Sequence, residues 1–292
     1  MYRLRDFIHT FLEAENDKTT SAELYCHETD PEFAYISNKM QESIAAYCYT
    51  LVRQGTVTMI CNDQHISVGP GDILIYSPGF QVTITTCSED YRGICLIADE
   101  DMTLEMPIVH DIIRTAYLPL AEWGKPVMHV PGTHIDRIWN RMRELIEYQH
   151  LPHRFRKETL RSLYTLFLLD LIDLEEFYVE TPKYGERTTE IFISFMRLLP
   201  KHFAGHHDIG FYASELCVTT THLSRIVRQI TGRTVMYYIN KMLVMEAIWL
   251  LKDTNLSILS IAERMHFANK SSFSKFFLRM KGITPKQYRM SC

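Results

Sequence analysis

The stretch from Ser257 to Arg289, SILSIAERMHFANKSSFSKFFLRMKGITPKQYR, constrains the chain most, because it specifies three short helices together with their stops. Ile258, Ile261, Ala262 and Met265 recur at the 3.6-residue period of a helix face, and Ser257 stands where an N-cap belongs. A second helix follows Phe267, with Asn269 as its cap and Phe273, Phe276, Phe277 and Met280 as its inward stripe. Gly282 fits a left-handed C-terminal stop, and Thr284-Pro285 reads as a cap plus the first residue of a third helix. The solvent side of the second helix carries Lys270, Ser271, Ser272, Ser274, Lys275 and Arg279. Two helices joined by a tight turn, the second lined with cations and hydroxyls, form a helix-turn-helix suited to a nucleic-acid groove.

The same arrangement occurs upstream. Phe211–Leu216 reads as a first helix and Val218-Thr219 as its turn, with Thr219 as cap. The next helix turns Leu223, Ile226, Val227 and Ile230 inward and leaves Thr220, Thr221, His222, Ser224, Arg225 and Arg228 outward, ending at Gly232. Between the copies, Thr234 to about Leu251 is apolar around much of its circumference, as expected of a helix buried on more than one side. Charge follows the same division. Residues 190–292 hold 14 Lys+Arg and 6 Asp+Glu, a net of +8, whereas the other 189 residues hold 17 and 29, a net of −12. A basic third on an acidic remainder points to a polyanion-binding module joined to a part with another task.

Residues 21–100 change to short strands: Tyr47–Arg53 and Thr56–Cys61 around Gln54-Gly55 as a hairpin, then His65–Val68, Ile73–Tyr76, Val82–Thr85 and Arg92–Ala98. Such spacing favours a double-sheet jelly roll or β-barrel. Val68-Gly-Pro-Gly-Asp-Ile-Leu-Ile-Tyr-Ser-Pro78 resembles the turn segment of cupin barrels. Metal-dependent cupins also need clustered histidines, and here His27 and His65 are isolated, so no metal or cofactor is expected. His202, His206 and His207 near Asp208 lack a completing cluster for zinc.

An amphipathic helix is expected over residues 1–20, with Leu4, Phe7, Ile8, Phe11 and Leu12 on one side. Residues 99–130 suggest a short helix and a return strand. Two helices follow, one with Ile138, Trp139, Met142, Leu145 and Ile146, the other with Leu160, Leu163, Tyr164, Phe167, Leu171 and Leu174. They could pack on the sheets or form a dimer seam. The resulting division is 1–132 regulatory, 133–178 helical packing or dimerisation, 179–187 linker and 188–292 DNA-binding, with helix-turn-helix units at 209–230 and 258–281. Seven scattered cysteines without a C-x-x-C pair suit reduced thiols. An N-terminus without a signal-peptide run, and an apolar segment Leu163–Leu169 bounded by Arg161 and Asp170, predict a cytoplasmic protein with no membrane span.

Residues 188–290 resemble the DNA-binding domain of AraC/XylS-family bacterial transcription regulators. The resemblance is carried by Ala213, Leu216, Val218, His222-Leu-Ser-Arg225 and Thr231-Gly232, then Ala247, Leu250 and Leu251. It continues through Ile258, Ile261, Ala262, Phe267, Ser271–Phe277 and Gly282-Ile-Thr-Pro285 to Tyr288-Arg289. Two positions depart from the family pattern: His266 replaces a glycine in the second turn, and Leu243 replaces an arginine of the spacer helix. The resemblance implies a nucleoid-associated, sequence-specific regulator of double-stranded DNA, an activator or a repressor. Both recognition helices would enter successive major-groove segments about one helical turn apart.

On that resemblance Thr221, Ser224 and Arg225 of the first helix, and Lys270, Ser271, Ser274 and Lys275 of the second, face bases, with Thr220 and Ser272 beside them among the DNA-binding residues. Arg228, Arg279 and Lys281 face phosphates. It further implies a cupin-like N-terminal domain binding a small-molecule effector or partner, a homodimer, and RNA polymerase as partner of an activator. The alternative is a cupin-type enzyme, an isomerase or oxygenase, carrying a DNA-binding tail. A third class, a structural DNA organiser, sits poorly with the varied polar recognition helices.

Overall fold

The computed structural model describes residues 4, 8, 23–32, 46–61, 64–76, 82–106, 127–175 and 186–291. Most of the expected 1–20 helix, the turn at 62–63, the positions after Pro78 and most of the linker lie outside the described residues. Contacts divide the chain into a sheet-containing unit, Met1–Thr103 with Pro119–Val179, and a helical unit, Leu104–Leu118 with Glu180–Cys292.

The first unit holds eight described strands: β1 Leu24–Thr29, β2 Ala46–Gln54, β3 Val57–Cys61, β4 Gln64–Val68, β5 Asp72–Tyr76, β6 Val82–Cys87, β7 Arg92–Asp99 and β8 Val127–His129. They form two antiparallel sheets, ordered β1-β7-β2-β5-β8 and β4-β3-β6. Among the described residues the sheets do not close into a barrel, so of the two forms expected it is the double-sheet one that the strands take. The hairpin expected at Gln54-Gly55 is corrected too. β2 pairs with β5 and β7, β3 with β4 and β6, so Gly55 is a corner where the chain changes sheet. Gly55 has φ +73°, and a Cβ there would lie 2.4 Å from Ser88 Oγ and 2.6 Å from Tyr91 Cα. Only glycine fits this bend, and a bend that sharp carries β3 out of the β2 sheet.

β2 is central and buried on both faces, which explains its near-continuous apolar run. On one face Cys48 packs with Cys95, Ile97, Ala46, Leu4 and Ile8. On the other, Tyr49 meets the helices: its hydroxyl lies 3.1 Å from that of Tyr164 and its ring stands edge-on to Phe167. The helices are α1 Glu100–Glu105, α2 Gly132–His150 and α3 Arg156–Glu175. Asp170 of α3 pairs with Arg137 and Arg141 of α2. Glu23, just before β1, is held by Arg161 and Lys157 of α3.

The free edge of β1 is sealed in an economical way. Cys26 N–H donates to Gln149 Oε1 (3.0 Å), and Gln149 Nε2 donates to Cys26 O (2.6 Å), so one side-chain amide replaces a neighbouring strand. Both ring nitrogens of His27 are shut away from solvent, and burial pulls its pKa down to about 4. Among the described residues no three His, Cys, Asp or Glu side chains converge as metal ligands.

Candidate nucleic-acid interface

The helical unit is built from α4 Glu186–His202, α5 Ile209–Glu215, α6 Thr220–Thr231, α7 Val235–Asp253, α8 Ile258–Arg264, α9 Lys270–Lys281 and α10 Pro285–Ser291. Each short helix starts where a side chain can satisfy its free N–H groups. Asp208 Oδ1 accepts from Gly210 N and Phe211 N, Thr219 Oγ1 from His222 N, Ser257 Oγ from Ser260 N, and Asn269 Oδ1 from Ser272 N. α6 and α9 each end on a left-handed glycine, Gly232 at φ 72° and Gly282 at φ 75°. The last helix opens with a capping box: Gln287 N donates to Thr284 Oγ1, and Thr284 N donates back to Gln287 Oε1.

The two turns follow one hydrogen-bond plan. In the first, Cys217 N donates to Ser214 O and Val218 N to Ala213 O. In the second, His266 N donates to Glu263 O and Phe267 N to Ala262 O. Both place a non-glycine residue in the left-handed region, Cys217 at φ 52° and His266 at φ 54°. The sequence departure at His266 therefore has an unforeseen twin at Cys217. Aligning the two halves of the helical unit on their caps would have found it.

In α6 and α9 the inward residues behave as their spacing predicts, with one exception. Leu223, Ile226, Val227 and Ile230 of α6 and Phe273, Phe276 and Phe277 of α9 are buried. Met280, expected inward, is 39% exposed, because α9 ends one residue later at Lys281 and its last turn has left the core. α7 buries residues around most of its circumference, from Val235 to Leu251. His206 stacks on Phe211 with ring centroids 3.5 Å apart, and His207 rests against Phe267. These histidines fill aromatic packing positions.

On the outer side, Thr220, Thr221, Ser224, Arg225 and Arg228 of α6 are exposed, as are Lys270, Ser271, Lys275 and Arg279 of α9. Ser272 and Ser274 are half-buried. The hydroxyl of Ser272 donates to the capping Asn269 Oδ1 (3.1 Å), which occupies it locally. Arg225 Nη2 lies 3.0 Å from His222 Nδ1, and the Arg279 guanidinium sits 5.8 Å from the Phe276 ring centroid. Two capped helix pairs, each presenting a helix of small hydroxyls and cations over an apolar underside, define a DNA-binding domain of the helix-turn-helix class.

Comparison with known proteins agrees. Residues 212–291 match the family described as "Helix-turn-helix domain". The HTH-type transcriptional activator AarP of Providencia stuartii is 38% identical over 73 residues, 25% of this chain and 54% of that one. The HTH-type transcriptional activator RhaS of Pectobacterium carotovorum is 24% identical over 245 residues, 82% of this chain and 83% of that one. The solved structure of ToxT from Vibrio cholerae shares 16% identity across 92% of this chain and 97% of that one, at a TM-score of 0.35. This chain spans about half the length of AarP and covers 29% of the RhaR of Cronobacter sakazakii. Residues 212–291 thus carry the matched helix-turn-helix domain. Relatives that run along most of the chain are named as transcription regulators, not enzymes, so the cupin-enzyme alternative has no support. No described helix is long and apolar enough to cross a membrane.

Proposed function

We propose that the whole chain is a sequence-specific transcription regulator that reads double-stranded DNA with α6 and α9. The observation that carries this is the repeated presentation of polar and cationic side chains on two helices that each start on a side-chain cap and end on a left-handed glycine. Thr220, Thr221, Ser224 and Arg225 serve the first base segment, and Lys270, Ser271, Ser274 and Lys275 the second. The Arg guanidinium and Lys ammonium suit guanine O6 and N7, while hydroxyls accept several bases. Arg228, Arg279 and Lys281 neutralise phosphates, so affinity falls steeply as salt rises. Ser272 contributes through the Asn269 cap.

The sheet unit, residues 1–132 with the helical segment 133–178, binds a small effector in this reading, and the linker 179–187 passes the change to residues 188–292. Leu166 and Leu169 leave α3 with exposed apolar surface, which supports a homodimer through that helix. An activator would also contact RNA polymerase, in the cytoplasm at the nucleoid. Selection of bound sequences from a random DNA pool tests the reading. Enrichment of a motif with two segments about one helical turn apart is expected. Recovery of unbiased sequence at every salt concentration would refute it.

A further inference from the structure

The division between the two units falls inside α1, between Thr103 and Leu104, so Glu105 belongs to the helical unit although it lies far upstream of it in sequence. Its carboxylate touches two helices at once. Oε1 accepts a hydrogen bond from Tyr288 OH of α10 at 2.7 Å, and Oε2 pairs with Lys252 Nζ in the last turn of α7. The acid is sheltered, with 18% side-chain exposure against 22% for the lysine, so neither contact is a solvated surface pair. At the same joint Arg289 Nε of α10 donates to Leu251 O near the end of α7 (3.0 Å). The Tyr288 ring stands edge-on to Phe277, 5.4 Å between centroids, and Phe277 is fully buried under α9.

A contact path therefore runs from Glu105 through Tyr288 and Phe277 to the second recognition helix. The first half is closed differently. Tyr238, fifty positions before Tyr288, is covered by the Phe195 ring of α4 at 6.4 Å. An aromatic from the helix preceding the first pair closes one half, and an acid from residue 105 closes the other.

We propose that Glu105 is a positioning residue for DNA recognition: by tying α7 to α10 it sets α9 relative to α6. The proposal rests on the reading of α6 and α9 as the two DNA-reading helices. Because the carboxylate holds the joint between spacer and last helix, its loss affects the register of the second segment while leaving recognition by α6 intact.

The test uses the full chain and the sequence that the wild type enriches from a random pool. Glu105→Gln removes the charge that holds Lys252, and Tyr288→Phe removes the hydroxyl while keeping the ring on Phe277. Each should weaken binding to the two-segment site about tenfold. The double variant should be no weaker than the weaker single, since both changes break one joint. On DNA whose α9 segment is scrambled, variants and wild type should bind alike.

Equal losses on both DNAs, losses that multiply in the double variant, or no loss at all would each overturn the positioning role. Failure of the wild type to enrich any sequence is a separate result, seen before any variant is made, and removes the DNA reading together with this proposal. Thermal unfolding of each variant runs alongside. Should Glu105→Gln prove unfolded, Tyr288→Phe decides the question on the same two DNAs.

Discussion

The two helix-turn-helix halves reach one backbone geometry from different side chains. The first closes on the aliphatic residues Leu223, Ile226, Val227 and Ile230, and the second on Phe273, Phe276 and Phe277 with Phe267 among their rings. The second turn is also longer, five residues from Met265 to Asn269 against four from Leu216 to Thr219. What the halves share is local: a side-chain cap at each helix start, a left-handed residue in each turn and a left-handed glycine after each recognition helix. Core chemistry is free to drift when caps and turns fix the angle between the helices. The outer faces have drifted too, towards threonine and arginine in α6 and towards lysine and serine in α9.

The strongest challenge to this comparison is a core deletion in each half. Phe273→Ala should cost about 3–5 kcal/mol and Leu223→Ala about 2–5 kcal/mol in denaturant unfolding. Both side chains are fully buried. Since α7 packs against both halves, a single shifted transition is expected for the helical unit. Two separate transitions would mean that the halves fold independently and only resemble each other.

Next in size are the outer faces. Arg225→Ala should cost about 1–3 kcal/mol and relax preference at one base position in a binding titration across site variants. Lys275→Ala sharpens the contrast by relaxing a position in the other segment. A uniform loss on every sequence, with a salt slope reduced by about one, would reassign either residue to phosphate.

The caps come third. Thr219→Ala and Asn269→Ala should each cost about 1 kcal/mol in thermal melts. Asn269 should cost more, because it also holds the Ser272 hydroxyl. Equal costs would mean that this second bond contributes nothing.

The smallest effect has the opposite sign. Glycine at Cys217 or at His266 should raise stability by up to about 1 kcal/mol, since each native residue holds a left-handed φ that L side chains resist. A loss at either site would show that the side chain contributes packing worth more than the strain.

Much of the helical unit is legible in the sequence because its signals are local. Ser257, Asn269, Thr219 and Gly282 mark their helix ends within one turn of the residues they serve. The sheet unit is legible strand by strand but not in its pairing. β2 and β3 are adjacent in sequence and separate in space, and the reason lies in the close approach of Ser88 and Tyr91 to Gly55, more than thirty residues away. Glu105 is invisible for the same reason, since nothing beside it in the chain hints at Tyr288. Ser272 shows a subtler limit: exposure on a recognition helix is readable, but the hydroxyl's engagement by its own cap is not.

The Gln149 amide at the rim of β1 bears on how the chain behaves in a crowded solution. An unpaired strand rim recruits other rims, so a chain that left Cys26 N–H and C=O open would tend to stack into larger assemblies. Here one glutamine on α2 occupies both groups. Gln149→Leu, similar in size but unable to bond, should leave the fold in place while light scattering rises with concentration. Unchanged scattering would mean that α2 shields the rim by bulk alone. Colloidal behaviour, a property of many molecules, thus comes to depend on two hydrogen bonds inside one.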